Sequence, residues 1–359
     1  MEDAINLEDY GWDESFAEHF KPHAREGYEA GRVFLQHNKY YMLYTAAGET
    51  LAEASGRLRY EARGPEDFPA VGDWVALRRK EDENKAAVIH DVLPRRSKFS
   101  RKAAGTRDEE QVVAANVDTV FLVTGLDHDF NPRRIERYLV MAWESGAAPV
   151  VVLNKADVAA DAEGAVREVE AVAPGVAVVR MSAKRGEGVE QLLPFVGRGR
   201  TVALIGSSGV GKSTIVNRLI GEDVQRTQEV RLGDQRGRHT TTHRELIVLP
   251  AGGLVMDTPG MRELQVLVSD RGLRETFDDI EEVAARCRFT DCRHENEPDC
   301  AIREALADGR LDAERYGNYR KLQAEMRQTA ARQDQRKGQE EKARVKRLTR
   351  AFNKTDKRR

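Results

Sequence analysis

The sequence predicts a multidomain protein with three folded parts: an N-terminal β-barrel, a central α/β domain and a C-terminal helical, metal-binding domain. Short alternating apolar segments lie early in the chain, apolar runs alternate with helical patterns in the middle, and all three cysteines lie near the end. The predicted parts are an acidic extension (1–30), the barrel (31–100), the α/β domain (110–268), the metal-binding domain (270–335) and a basic tail (336–359).

The composition is that of a globular protein, with 359 residues, 40% apolar and 33% charged. No run approaches the roughly 18 consecutive apolar residues that span a bilayer. The N-terminus is acidic and lacks the basic-then-apolar layout of a secretion signal. We therefore expect a cytoplasmic protein that does not associate with membranes. We also expect a monomer.

Charge is distributed unevenly along the chain. Residues 1–30 hold nine acidic residues against two basic ones, a net charge of −7, whereas residues 320–359 hold fifteen basic residues against five acidic ones, a net charge of +10. This asymmetry indicates a tail that contacts a polyanion, although a solvated helix surface would have the same composition.

Short apolar segments separated by turn signals follow the first thirty residues, which the composition predicts to be loosely ordered. Four or five strands within about 65 residues are typical of a small barrel, and an OB-fold is the barrel we expect. Trp74 is interpreted as a core residue, with base stacking as the alternative. The segments are 32–35, 40–44, 71–77 and 87–93.

Strand–helix alternation then predicts a doubly wound α/β domain of six strands. Asn131 and Pro132 supply an N-cap and a proline at the first helical position, which predicts a helix after the first of these strands. The predicted strands are Thr119–Thr124, Pro149–Leu153, Val176–Met181, Val202–Ile205, Glu245–Leu249 and Gly253–Asp257.

A glycine-rich loop between a predicted strand and a predicted helix indicates a phosphate-binding loop. Its backbone N–H groups would converge on phosphates at the helix N-terminus. Lys212 would neutralise the β- and γ-phosphates, and the Ser213 hydroxyl would hold Mg²⁺. The loop residues are Gly206, Ser207, Ser208, Gly209, Val210, Gly211, Lys212, Ser213 and Thr214.

A second phosphate motif, Asp-Thr-Pro-Gly, ends the last predicted strand. Asp257 is predicted to hold Mg²⁺ through water, and the Gly260 N–H is predicted to meet the γ-phosphate. Alone, these four residues are also compatible with a simple β-turn.

Two further motifs predict that the base is guanine. In the Asn-Lys-Ala-Asp motif, Asp157 would accept the N1–H and 2-amino donors of guanine, a pair that adenine lacks. Lys155 would pack along the base, and Asn154 would link the base loop to the phosphate loop. A second base-contacting loop follows the next strand and comprises Ser182, Ala183 and Lys184.

The order of these motifs is reversed relative to the usual GTPase, since Asn154 precedes Gly206. The same sheet forms when the original termini are joined and the chain is cut elsewhere. The sequence therefore predicts a circularly permuted P-loop GTPase domain.

A Gly-Arg-His-Thr-Thr-Thr run, residues 237–242, occupies the position of the first switch. Thr241 is predicted to reach Mg²⁺ and the γ-phosphate, with Thr240 as the alternative. Met261 stands where many GTPases place a water-orienting glutamine, so hydrolysis by the free protein is expected to be slow. His239 is the candidate for positioning the water, and a surface histidine is the alternative.

The three cysteines and one histidine predict a closed structural zinc site, because thiolate and imidazole are the ligands that tetrahedral Zn²⁺ prefers and four protein ligands leave no open position. Reduced cysteines beside an incidental histidine are the alternative. Glu295, Glu297 and Asp299 are possible competing ligands. The predicted zinc ligands are Cys287, Cys292, His294 and Cys300.

The basic C-terminal stretch has few apolar anchors, and its composition predicts a helix from Arg315 to about Arg350. A helix that is polar on all sides usually lies on another surface, and RNA is the natural one for this charge. A disordered solubilising tail is the alternative.

Taken together, the motifs resemble those of the RsgA (YjeQ) family of small ribosomal subunit biogenesis GTPases, over about residues 30–330. The resemblance implies an OB-fold, binding to the small ribosomal subunit and its rRNA, and hydrolysis of GTP to GDP and phosphate that the subunit stimulates late in 30S maturation. It also implies Mg²⁺ with GTP and one structural zinc, and it favours a histidine at position 239.

Two other functions remain open from the residues alone. A GTP-gated RNA-binding or scaffold protein would share the nucleotide motifs, with hydrolysis incidental. A metal-dependent RNA-modifying enzyme would need an open zinc position, and the four-ligand set argues against one.

Overall fold

The computed structural model describes two compact units, Met1–Val266 and Leu267–Arg359, here called the N-terminal and C-terminal units. In the described part of the chain, no helix is long and apolar enough to cross a membrane. The residues that the structure describes are 5–82, 85–102, 110–221, 244–250, 252–257 and 270–331.

The acidic extension is folded, so the prediction of a loosely ordered lead is wrong for the described residues 5–30. After a short 3₁₀ helix, helix α1 spans Glu14–Arg25, and the Asp13 carboxylate caps it by accepting the N–H groups of Ser15 and Phe16. The Phe16 side chain is buried, and the Trp12 ring lies 4.8 Å from that of Trp74. An apolar face thus anchors a segment that the composition predicted to be loosely ordered.

A closed five-stranded barrel follows, which confirms the predicted OB-fold. The strands are hydrogen-bonded in the order β1-β2-β3-β5-β4, and a β1–β4 pairing closes the barrel. Trp74 is fully buried and is a core residue, as interpreted from the sequence. The elements are β1 (Glu29–His37), β2 (Tyr40–Thr45), β3 (Gly48–Ala54), α2 (Gly56–Glu61), β4 (Trp74–Arg78) and β5 (Ala87–Val92).

The α/β part contains all six predicted strands, after a hairpin of β6 and β7. The strand order is β10-β9-β8-β11-β13-β12, and every neighbouring pair is parallel except β12–β13. Helices flank the sheet, and the Asn131 side chain caps α3 as predicted. The strands are β6 (Lys98–Lys102), β7 (Glu110–Ala115), β8 (Thr119–Gly125), β9 (Ala148–Asn154), β10 (Ala177–Arg180), β11 (Thr201–Ile205), β12 (Arg244–Val248) and β13 (Leu254–Asp257). The helices are α3 (Pro132–Ser145), α4 (Ala162–Val172) and α5 (Lys212–Ile220).

The barrel and the α/β part share one continuous sheet, because β1 pairs antiparallel with β12. Leu35 lies opposite Glu245, and Gln36 lies opposite Arg244. β12 is therefore hydrogen-bonded on both sides, to β13 and to the barrel.

Arg32, on β1, is a buried arginine that connects four segments of the N-terminal unit. Its guanidinium donates hydrogen bonds to the carbonyl oxygens of Tyr10, Gly72 and Asn116 and to the Thr201 hydroxyl, the last at 2.8 Å. Burial lowers the pKa of Arg32 to about 10, so the side chain stays charged at neutral pH. These bonds join the N-terminal segment, the barrel and the strand that leads into the phosphate loop.

The C-terminal unit is helical, as predicted. Its core includes the fully buried Phe277, Ile280 and Leu322. Arg315 is 5% exposed and donates to the Asp279 carboxylate at 2.7 and 3.0 Å. The helices are α6 (Asp270–Thr276), α7 (Asp278–Ala284), α8 (Ala301–Ala307) and a helix in residues 313–331. The rest of the predicted C-terminal helix and the tail 336–359 lie outside the described residues.

Replacing Arg32 tests whether its four hydrogen bonds hold the N-terminal unit together. Arg32→Met leaves buried acceptors without a donor, so we expect the free energy of unfolding to fall by about 3 kcal/mol. Chemical denaturation measures this change. Arg167→Met is the control, because Arg167 is exposed and its surface ion pair contributes little. Equal stability of the two variants would contradict the assignment.

Candidate nucleotide-binding site and metal centre

The predicted phosphate loop connects β11 to α5, at the carboxyl edge of the sheet. Lys212 is the first residue of α5, and its Nζ donates to the carbonyl oxygens of Gly206 and Ser207 at 2.6 and 2.5 Å. The Val210 side chain is buried in the apolar core of the α/β part and anchors the loop to it. The exposed members of the loop and first helical turn are Ser208, Gly209, Ser213 and Thr214.

Asn154 joins the phosphate loop to the second base loop. Its side chain is at the end of β9 and is 3% exposed. The Nδ2 amide donates to the Val210 carbonyl at 2.7 Å, and Oδ1 accepts the Ala183 N–H at 2.9 Å. Three motifs that are far apart in the sequence therefore meet at one buried amide.

The approach of Asn154 requires a glycine at position 211. Gly211 has a φ of +100°, and a Cβ added there would lie 2.3 Å from the Asn154 Nδ2 atom. A larger residue would be strained in this left-handed conformation and would also collide with the amide.

The Asp157 carboxylate is held by Ser182, whose hydroxyl donates to Asp157 Oδ1 at 2.6 Å. This hydrogen bond lowers the pKa of Asp157, which keeps it ionised and able to accept two donors at neutral pH. The side chain is 9% exposed. Such a carboxylate has the negative charge that recognition of the two donors of a guanine edge needs.

Lys155 is placed beside Asp157 by an ion pair and by its backbone. Its Nζ lies 2.6 Å from Asp127 Oδ2, and this hydrogen bond lowers the pKa of Asp127. Lys155 has a φ of +64°, which is uncommon for a residue with a side chain. Strained conformations of this kind are concentrated at binding sites.

In the C-terminal unit, the four predicted zinc ligands form one cluster. Their ligand atoms all lie within 4.8 Å of one another. His294 Nδ1 is 3.5 Å from the sulfurs of both Cys287 and Cys300, which are 4.0 Å apart. Sulfur donors around a tetrahedral metal at a Zn–S distance of about 2.3 Å would be about 3.8 Å apart. The cluster could therefore hold one zinc ion.

The neighbouring acidic residues are engaged elsewhere. Glu297 accepts the backbone N–H groups of Arg293, Glu295 and Asn296, and these bonds lower its pKa to about 2. Asp299 pairs with Arg288 at 2.8 Å. Neither carboxylate belongs to the cluster of possible ligands found in the described residues.

Comparison with known proteins identifies the family of the chain. The model of the RsgA GTPase family matches residues 92–267. The small ribosomal subunit biogenesis GTPase RsgA of Opitutus terrae is 50% identical over 338 residues, which cover 92% of each chain. This chain belongs to the RsgA GTPase family. RsgA 2 of Lactiplantibacillus plantarum is 48% identical over 296 residues, 82% of this chain and 83% of that one.

Two solved structures share the fold of this RsgA-family GTPase. YjeQ from Thermotoga maritima is 30% identical, with a TM-score of 0.61 over 83% of this chain and 98% of its own. YloQ, described as a circularly permuted GTPase, is 24% identical, with a TM-score of 0.58 over 84% of this chain and 96% of its own. The predicted permutation agrees with the strand order and with this shared fold.

Several predicted site residues lie wholly or partly outside the described residues. Asp257 is the last residue of β13, so its backbone lies at the same edge as the phosphate loop, but its side chain is outside the described set. The remaining switch residues also lie outside the described residues: His239, Thr240, Thr241, Gly260 and Met261.

Three residues at the site were not found from the sequence. Asp127 follows β8 at the carboxyl edge of the sheet, and that position was a usable signal. Arg134, on α3, donates to the Ser207 hydroxyl of the phosphate loop, and Arg218, on α5, donates to two carbonyls of the second base loop. Their partners are distant in the chain, so no local pattern indicated them.

Gly211→Ala tests the contact between the phosphate loop and Asn154. The added methyl collides with the Nδ2 amide, so we expect GDP affinity to fall about tenfold or more, measured by calorimetry. Gly175→Ala is a matched control, because Gly175 has a φ of +74° with nothing within 4 Å of an added Cβ. It is expected to lower stability slightly and to leave GDP affinity unchanged. An equal loss of affinity in both variants would contradict the packing argument.

Proposed function

We propose that this protein is a GTPase that binds the small ribosomal subunit and hydrolyses GTP to GDP and phosphate during late maturation of that particle in the cytoplasm. Membership of the RsgA family supports the substrate and the particle, since its relatives are named for both. The observation that carries the nucleotide chemistry is the convergence of Asn154, the phosphate loop and the second base loop at one buried amide.

The proposed base site consists of the two loops that Asn154 and Ser182 hold together. Asp157 accepts the N1–H and 2-amino groups of guanine, with Lys155 packed along the base. ATP offers no such donor pair and would leave the carboxylate unpaired. Ala183 and Lys184 provide the second wall.

The proposed phosphate site comprises residues 206–214. Backbone N–H groups of the loop and the α5 N-terminus cradle the phosphates. The Lys212 Nζ now donates to two carbonyl oxygens of its own loop, at 2.5 and 2.6 Å. A change in the side-chain torsion angles would bring it to the bound phosphates. When bound, Mg²⁺ would neutralise developing charge on the phosphates. The residues proposed to hold it are Ser213, Asp257 and Thr241, with Gly260 donating to the γ-phosphate.

The hydrolytic step depends on residues in the first switch. Met261 has no polar atom able to orient a water strongly, so His239 is the proposed water-positioning residue. His239 precedes β12 in the chain, and β12 pairs with β1 of the barrel. A ribosomal particle that binds the barrel would thereby act on the segment that carries His239 and complete the site. We therefore expect slow GTP hydrolysis by the free protein and fast hydrolysis by the protein bound to the particle.

The zinc cluster and the basic tail are the proposed structural and RNA-binding elements. Zinc would hold together the loop between α7 and α8, and with four protein ligands it would have no open position for catalysis. The tail, with its excess of lysine and arginine, would contact rRNA phosphates. The protein is proposed to act as a monomer.

Hydrolysis measured with ribosomal particles tests the proposed function. We expect purified small subunits to raise the GTP turnover rate about tenfold or more, and large subunits to have little effect. The stimulation should fall steeply as salt rises, because the contacts are largely ionic. His239→Ala should remove the stimulation and keep GDP affinity, whereas the exposed His19→Ala should change neither.

An unstimulated wild-type rate would contradict the proposed function. Stimulated turnover in His239→Ala equal to wild type would contradict only the role of that histidine. Salt-independent stimulation would contradict the proposed rRNA contacts.

Metal analysis tests the zinc site. We expect one zinc ion per chain by elemental analysis, and Cys292→Ser should lower both the zinc content and the melting temperature of the C-terminal unit. Glu295→Gln is the control, since Glu295 lies between two ligands but is outside the cluster. Full stability after zinc removal would contradict a structural role.

A further inference from the structure

Arg218 lies outside every sequence motif, yet it contacts the second base loop directly. It is in the last turn of α5, the helix that begins with Lys212. Its Nε donates to the Ala183 carbonyl and one terminal nitrogen donates to the Lys184 carbonyl, both at 3.0 Å. One helix thus carries the phosphate-binding lysine and an arginine that holds the base loop.

We propose that Arg218 is a positioning residue for guanine specificity, acting on Asp157 through the Lys184–Arg185 peptide and the Ser182 hydroxyl. This inference rests on the proposed function of the site as a GTP-binding site. Arg218 is an exposed residue outside the phosphate and base motifs, and the proposal gives it a part in discriminating guanine from other bases.

The first step of this relay is the peptide plane. The Lys184 carbonyl and the Arg185 N–H belong to one planar trans peptide and point in opposite directions. When Arg218 fixes the carbonyl, it also fixes the direction of that N–H. The Arg185 N–H donates to Ser182 Oγ at 3.3 Å.

The second step is the direction of the Ser182 hydroxyl. The hydroxyl has one proton, and the ionised Asp157 carboxylate can only accept. The hydroxyl proton therefore goes to Asp157 Oδ1, 2.6 Å away, and the Arg185 N–H, which donates to the same Oγ, helps to fix the position of that oxygen. The orientation of the carboxylate is thereby set before a nucleotide binds.

That orientation matters because guanine presents two donors in one plane. A carboxylate receives both only when its own plane matches theirs, and a hydrogen bond weakens steeply as its angle falls. Without Arg218, the Ala183 and Lys184 carbonyls lose a shared donor. The Lys184–Arg185 peptide then keeps only the Arg185 N–H bond to Ser182 Oγ. Asp157 keeps the Ser182 hydroxyl and the Arg185 guanidinium, whose Nε lies 3.9 Å from Asp157 Oδ2, but the loop that carries both groups is less firmly held. The contact with the 2-amino group of guanine should suffer most.

The test compares nucleotides that differ only at the base, using the full-length protein. IDP lacks the 2-amino group of GDP, so the ratio of GDP affinity to IDP affinity reports how well Asp157 is aimed. ADP binding reports the phosphate site without guanine recognition. Calorimetry or fluorescent competition gives all three affinities.

We expect Arg218→Met to lower the GDP/IDP affinity ratio about three- to tenfold and to leave ADP affinity unchanged. Arg218→Lys, whose single ammonium replaces a fork of donors, should give an intermediate ratio. Arg167→Met, at an exposed arginine on α4, should match wild type. If Arg218→Met does not fold, the lysine variant carries the test.

Two results would overturn the proposal. One is a GDP/IDP ratio in Arg218→Met equal to that of wild type. The other is an equal loss of affinity for GDP, IDP and ADP, which would show that Arg218 only stabilises the fold. A wild-type protein that binds GDP and ADP equally would instead contradict the proposed function itself, so the two failures are distinguishable.

Discussion

The side-chain amide of Asn154 is the interaction on which the nucleotide site depends. Its donor end meets the phosphate loop and its acceptor end meets the second base loop, so the amide is satisfied at both ends inside the protein. A buried amide that lost either partner would cost about 1–3 kcal/mol. Asn154 therefore fixes the spacing between the base and phosphate ends of the site, independently of the order in which the chain supplies them.

Because this spacing does not depend on the order of the motifs, a permuted sequence can form the nucleotide-binding edge of a GTPase sheet. Every parallel strand of the α/β sheet ends at the same edge, so loops that follow β9, β10 and β11 converge there whichever comes first. Permutation changes the covalent connections between the strands but not the edge at which the parallel strands end. What changes is the order along the chain, since in the sequence β13 is followed by the cysteine-bearing C-terminal unit and not by further strands of the sheet.

The sequence predicted the parts of the fold that have local signals. Buried parallel strands such as β8 and β9 are continuous apolar runs, and the phosphate loop needs glycines at fixed spacing, so both could be recognised. The N-terminal helix also had a signal, because Trp12, Phe16 and Phe20 recur every four residues. Its acidic composition obscured that pattern. Asp157 and Ser182 were each predicted to lie in a base-contacting loop, but the hydrogen bond between them was not predicted.

Other features had no local signal. Arg32 and Thr201 are 169 residues apart, and nothing in the sequence near either residue indicates that they meet. The same holds for Arg218 and the carbonyls that it binds, because backbone acceptors have no sequence identity. His239 remains a prediction, since its segment is outside the described residues. Long-range polar contacts of this kind follow from the assembled fold.

The pairing of β1 with β12 also bears on solubility. In a free-standing α/β domain, β12 would be an edge strand, and its unpaired N–H and C=O groups could recruit strands from other molecules. Here Leu35 and Gln36 of the barrel occupy part of that edge. The barrel thus shields its neighbour from intermolecular sheet growth, whatever ligand it binds. A gene fragment encoding the α/β region alone would lose this shield and yield a protein prone to self-association.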